Sequence, residues 1–109
     1  MEAEAGAIWM HAENCLKAHR KLSLRESGVA QTLVVICCER GYSMRFDADE
    51  LAGAVNAHLE GSGDTVSVAE VEALRSKLLK HKFFAENGGV WTLHPHLYLT
   101  EDPYAKDAA

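Results

Sequence analysis

The chain of 109 residues has no apolar run near the roughly 20 residues that a membrane span requires, and its stretch "TLVVICC" is soon followed by Glu39 and Arg40. No membrane segment is therefore expected. A basic leader is missing too: the opening "MEAEAGAIWM" is acidic, so no targeting segment is expected and the cytoplasm is the expected location. There is no C-x-x-C pair and no ladder of cysteine spacings. Cys15, Cys37 and Cys38 make an odd set with two members adjacent, which argues against a disulfide framework and for reduced thiols. Positive charge is in short supply: 11 Lys and Arg against 16 Asp and Glu leave a formal charge of −5. That balance opposes general affinity for a polyanion, so any nucleic-acid contact needs a locally basic face. Nor is there a glycine-rich phosphate loop, because "GSGD" falls between two helical patterns rather than after a strand.

What the chain does contain is a regular punctuation of helices. Its length and 48% hydrophobic content suit one domain with a small core. Residues 3–20 are rich in alanine, and Ile8, Ala12, Cys15 or Leu16, and His19 share one helical face, which predicts an N-terminal helix. After "LSLRESG", either Ser23 with Glu26 or Ser27 alone would cap a new helix. The β-branched run "TLVVICC" could be read as a buried strand, but Val29, Leu33, Ile36 or Cys37, and Arg40 keep helical spacing and Gly41 suits a helix end, so helix is preferred. "SMRF" predicts a short strand. Asp47 with Glu50 opens a helix over about 48–59 with Leu51, Val55 and Leu59 inside, and Ser67 with Glu70 opens another that buries Val68, Val71, Leu74 and Leu78. Phe83 and Phe84 then face residues 90–93 across "ENGG", where Asn87-Gly88 is a strong hairpin signal because both central residues of the favoured turn need positive φ.

The expected class is thus mainly α with a small β-hairpin. Residues 27–94 read helix, strand, helix, loop, helix, hairpin, and this order resembles the winged-helix family of helix-turn-helix domains. The stretches that carry the resemblance are "SMRFDADELAGAV", "VSVAEVEALRSKLLKHKFF" and "ENGGVWTL". It implies a winged-helix-like three-helix core over 23–99, an extra N-terminal helix over 1–22 for packing or dimerisation, and a flexible tail over 100–109. It implies further that the third core helix enters the major groove while the hairpin touches the backbone.

Carried onto this chain residue by residue, the resemblance makes Arg75, Ser76, Lys77, Lys80 and Lys82 the candidate DNA contacts and Asn87, Gly88 and Gly89 the wing. Ala69, Glu70, Glu72 and Ala73 stand near the start of the reading helix, where a DNA reader would more often place Arg, Asn, Gln or Ser. The wing has Glu86 and no Lys or Arg between Phe83 and His96, so a protein-binding use of the same fold is the alternative function. Ile8 and Trp9 are the candidate interface residues, through which the N-terminal helix would pack on the domain or on a second copy. Trp91 is expected in the core or on a hairpin face.

His94-x-His96 would put two imidazoles on one face of a strand, with Cys37, Cys38, His58 or His81 to complete a metal site. Pro95 between them favours a strand end instead, so neither metal nor cofactor is expected. No catalysis is expected either: Cys37 and Cys38 lie in an apolar run, and Asp47, Asp49 and Glu50 are accounted for by helix capping and the helix dipole.

Overall fold

The computed structural model describes residues 8–100. Four helices, α1 (Ala12–His19), α2 (Leu24–Glu39), α3 (Ala48–His58) and α4 (Val68–Lys80), accompany five short strands, β1 (Trp9–Met10), β2 (Ser43–Arg45), β3 (Phe84–Asn87), β4 (Val90–Leu93) and β5 (Tyr98–Leu99). The protein is mainly α with a small β-hairpin. Among the described residues, no helix is long and apolar enough to cross a membrane.

Capping chemistry explains where the helices begin. The Ser23 hydroxyl accepts from the Glu26 N–H at 3.1 Å and Glu26 Oε1 accepts from the Ser23 N–H at 2.8 Å, a complete capping box that starts α2. Ser27 is not a cap; its hydroxyl meets His19 Nδ1 at 2.9 Å. Ser67 and Glu70 form the same reciprocal pair at α4. Only half of the Asp47 box forms. Asp47 accepts from the Glu50 N–H, but the Glu50 carboxylate turns away to take two hydrogen bonds from Arg40 at 2.6 and 2.5 Å. The bidentate partner is charged and the backbone N–H is not, so the ion pair wins.

The β-branched run inside α2 stays helical because burial favours it: Val29, Leu33, Val34, Ile36 and Cys37 all face the core. Gly41 at φ +83° then ends the helix, with its N–H donating to Cys38 O and the Tyr42 N–H to Cys37 O. Helix α4 ends in the same motif: Lys82 N–H donates to Leu79 O at 3.2 Å and Phe83 N–H to Leu78 O at 2.9 Å. Here the left-handed position is held by Lys82, at φ +64°.

Three expectations need correction. The predicted helix over 3–20 is shorter: α1 begins at Ala12, and residues 3–7 lie outside the described residues. Trp9 and Met10 form a strand that pairs antiparallel with Leu99 and Tyr98, and His11 N–H extends the contact to Leu97 O at 2.9 Å. Alanine's helix propensity is a weak local preference, and a partner 90 positions away (Trp9↔Leu99) supplies backbone hydrogen bonds that override it. Ile8 and Trp9 therefore share no helical stripe with Cys15 and His19; both are half-buried. The hairpin turn is also displaced by one residue. Asn87 pairs with Val90, and the two positive-φ positions are Gly88 (+60°) and Gly89 (+82°), so glycines fill both central sites and Asn87 ends β3. Phe83 belongs to the α4 end motif rather than to the strand. The tail expected over 100–109 lies outside the described residues beyond Thr100.

The main sheet is antiparallel in the order β2-β4-β3, so β4 is central and the strand between α2 and α3 pairs with the far arm of the hairpin. Below it lies one core in which Leu33, Leu51, Leu78, Phe83 and Trp91 are fully buried, and Cys15 and Ala18 of α1 join it. Asn56 fixes the loop before α4 by gripping Val66 from both sides: Val66 N–H donates to Oδ1 at 2.7 Å and Nδ2 donates to Val66 O at 3.0 Å.

Candidate nucleic-acid interface

Helix α4 buries Val71, Leu74 and Leu78 but not the expected Val68, which sits at its first position and is 41% exposed, and it leaves Ala69, Glu72, Ala73, Ser76 and Lys80 exposed. The 3.6-residue period puts these five on the side turned away from the core. Arg75 and Lys77 flank that side, and both are already engaged. Lys77 Nζ donates to Glu26 Oε2 at 2.6 Å, which ties the middle of α4 to the first turn of α2. Arg25, next to Glu26, binds the Glu70 carboxylate through Nε at 2.6 Å and Thr65 O through Nη2. Adjacent residues of α2 thus lace both halves of α4, and the Arg25 guanidinium holds the Glu70 carboxyl down to about 2.

On the other flank, Arg75 lies 5.3 Å over the Phe46 ring and within 3.7 Å of Glu72 and 3.6 Å of Glu86. Phe46 stacks on Trp91 with centroids 4.5 Å apart, and the Trp91 Nε1–H donates to Glu86 Oε2 at 2.9 Å. Trp91 is fully buried and Thr92, the next residue, is exposed, as strand alternation requires. Arg75 is consequently half-committed to holding α4 against the hairpin, a role that helical spacing alone did not reveal.

The wing residues Asn87, Gly88 and Gly89 form the exposed tip. A cation from elsewhere in the sheet stands near this tip. Arg45 of β2 pairs with Val90, and its Nη1 would stand 3.4 Å from a Cβ built on Gly89. Nothing local marks Arg45 as part of the wing; only the β2–β4 register brings it there. Lys80 and Lys82 are exposed and form no ion pair among the described residues.

The histidine pair does not share a strand face. Strand β4 stops at Leu93, and residues 94–97 turn, with His94 Nδ1 accepting from the His96 N–H at 3.0 Å and the two rings perpendicular at 6.3 Å. Among the described residues, no three His, Cys, Asp or Glu side chains are grouped to hold a metal ion. Burial pushes the Cys37 thiol up to about 12 and raises Cys15 and Cys38 as well, so all three are poor nucleophiles at neutral pH.

No protein-family model, curated protein or solved structure matches the chain.

Proposed function

We propose that this chain is a small winged-helix-like regulatory protein that binds duplex DNA, with α4 in the major groove and the β3–β4 tip beside the backbone. One arrangement supports the reading above the rest. Helix α4 follows α3 across a loop pinned by Asn56, buries one side against the core and leaves its other side open, with Arg75 on its flank reaching Glu86 of the hairpin. Ala69 and Ala73 are small enough for close approach and suit thymine methyl groups, while Ser76 accepts or donates at a base edge. Lys80 at the helix end and Arg45 beside the tip are the cations available for phosphates, with Lys82 beyond them.

A second reading is favoured by the ion pairs: with Lys77 held by Glu26 and Arg75 by Glu72 and Glu86, the flanks of α4 are neutralised and the surface suits an acidic protein-interaction module, including a second copy. Fluorescence anisotropy on a random duplex at low salt separates the two. The DNA reading expects binding that falls steeply as salt rises and weakens about tenfold or more in Ser76→Asp with Arg45→Glu. Unchanged affinity in that variant, or no binding beside a self-associated species in size-exclusion chromatography, favours the protein-interaction reading.

A further inference from the structure

A groove of about 220 Å³ opens where the end of α1, the end of α4 and the turn after β4 meet. Its walls carry Lys17, Lys21, Lys80, Lys82, His81 and His96, together with Asn14 and Ala18, and no carboxylate. In a chain with net charge −5 the groove is a locally basic patch. Across the described residues, Arg25, Arg40, Arg75 and Lys77 are matched to glutamates at 2.5 to 3.7 Å. Of the groove's four lysines only Lys17 has such a partner, the highly exposed Glu13 at 3.4 Å.

The walls are tied together. Asn14 Nδ2 donates to His96 O at 3.1 Å and His11 N–H to Leu97 O, so α1 and the turn hold a fixed separation. Lys82 occupies the left-handed position of the α4 end motif, where α2 uses Gly41 in the equivalent place. A lysine there is strained and glycine is not, so Lys82 stands at that position against the local backbone preference. The field is felt inside the groove: burial, then Lys80, Lys21 and Lys77, hold His81 below its ordinary value. Helix dipoles account for Lys17 and Lys80, which lie in last turns, but Lys21 and Lys82 lie beyond the helix ends.

We propose that this groove is a phosphate-binding site that takes a phosphate group carried on a nucleic-acid backbone or on a free nucleotide. Convergent ammonium groups around a concave site recognise a multiply charged tetrahedral anion as point charges. Lys80 to Lys82 lie at the far end of α4 from Ala69, roughly 16 Å along the helix axis at 1.5 Å per residue. The site shares Lys80 and Lys82 with the proposed phosphate contacts to DNA, and to that extent rests on that reading, but it lies apart from base reading by the start of α4.

The test is a titration of the whole chain with inorganic pyrophosphate at low salt, followed by backbone amide NMR shifts. Saturable shifts confined to Lys21, His81, Lys82 and His96 are expected, weakened about tenfold or more in Lys17→Glu with Lys21→Glu. Lys82→Gly guards against misfolding as the cause, because it relieves strain: it is expected to raise the melting temperature and yet weaken pyrophosphate binding. Competition by duplex DNA assigns the phosphate to a backbone, and competition by ATP alone assigns it to a nucleotide. Ser76→Asp is expected to leave pyrophosphate binding intact even where it abolishes duplex binding, which keeps this site distinct from the α4 reading. Unsaturable shifts spread over all surface lysines, or unchanged binding in both groove variants, would overturn the proposal.

Discussion

At the scale of single residues, the polar atoms that have no good partner matter as much as those that do. Tyr98 is 1% exposed, and among the described residues its hydroxyl has no well-aligned hydrogen bond, only the Cys15 thiol close by. Its polar neighbour is the Cys15 thiol, and burial, then Cys15, raises the phenol above its ordinary value. A buried hydroxyl left unmatched carries its desolvation cost with little return. Tyr98→Phe is therefore expected to leave stability unchanged or raise it by up to about 1 kcal/mol in urea unfolding; a loss above that size would mean the hydroxyl is satisfied. Asn56 is the opposite case, since both halves of its amide are used on Val66. Asn56→Ala is expected to cost about 1–3 kcal/mol by the same assay, and Asn56→Asp, which keeps only the acceptor, less.

At the scale of elements, the sequence was most readable where a local chemical signal sets a boundary. The Ser23–Glu26 and Ser67–Glu70 boxes and the Gly41 stop all lie within one turn of the ends they define, and each is visible in four or five consecutive letters. What was not legible depends on partners far along the chain. Trp9 and Met10 become a strand only because Tyr98 and Leu99 are there, and Arg45 joins the wing only through its register with Val90. Of the candidate contacts, Arg75 and Lys77 can be placed on a helix from the sequence, but their commitment to Glu86 and Glu26 requires the hairpin and α2 to be in place. Lys17 and Lys21 were passed over because α1 and the end of α4 meet only in the fold. These inter-element ion pairs have a pH signature. Glu26 is held below the usual carboxylate range by Lys77, Glu50 by Arg40, and Glu70 by Arg25 from 4.5 to about 2. A depressed folded-state value means the stabilisation is complete above the unfolded value and lost as pH falls through the folded one. Burial lowers His19 in the same sense, with its loss setting in below 6.5. His58, raised by the Ala54 carbonyl and then Glu39, works in the opposite direction. The melting temperature is expected to drop between pH 6 and pH 3 and the drop to shrink in high salt, since the pairs are exposed and screened; a flat profile across that range would mean the pairs contribute nothing.

At the scale of the whole molecule, charge is segregated. Acidic residues outnumber basic ones overall, and Glu26, Glu50, Glu70 and Glu86 pair with cations that hold α2, α3, α4 and the hairpin together. Among the described residues, the cations without an ion pair are Lys80 on the small-residue side of α4, Arg45 near the hairpin tip, Lys21 and Lys82 of the groove at the end of α1, and Arg20 next to them in sequence. That distribution suits a protein whose binding is confined to designated surfaces and which has little affinity for polyanions elsewhere. The proposed function has the open side of α4 and the hairpin tip meet duplex DNA. Its most direct measurement is the anisotropy titration of a labelled random duplex across a salt series, with the intact chain beside Ser76→Asp with Arg45→Glu. A linear fall of log affinity with log salt is expected for the intact chain, with about tenfold or more weaker binding for the variant; equal affinity for the two proteins at every salt concentration would rule the DNA reading out.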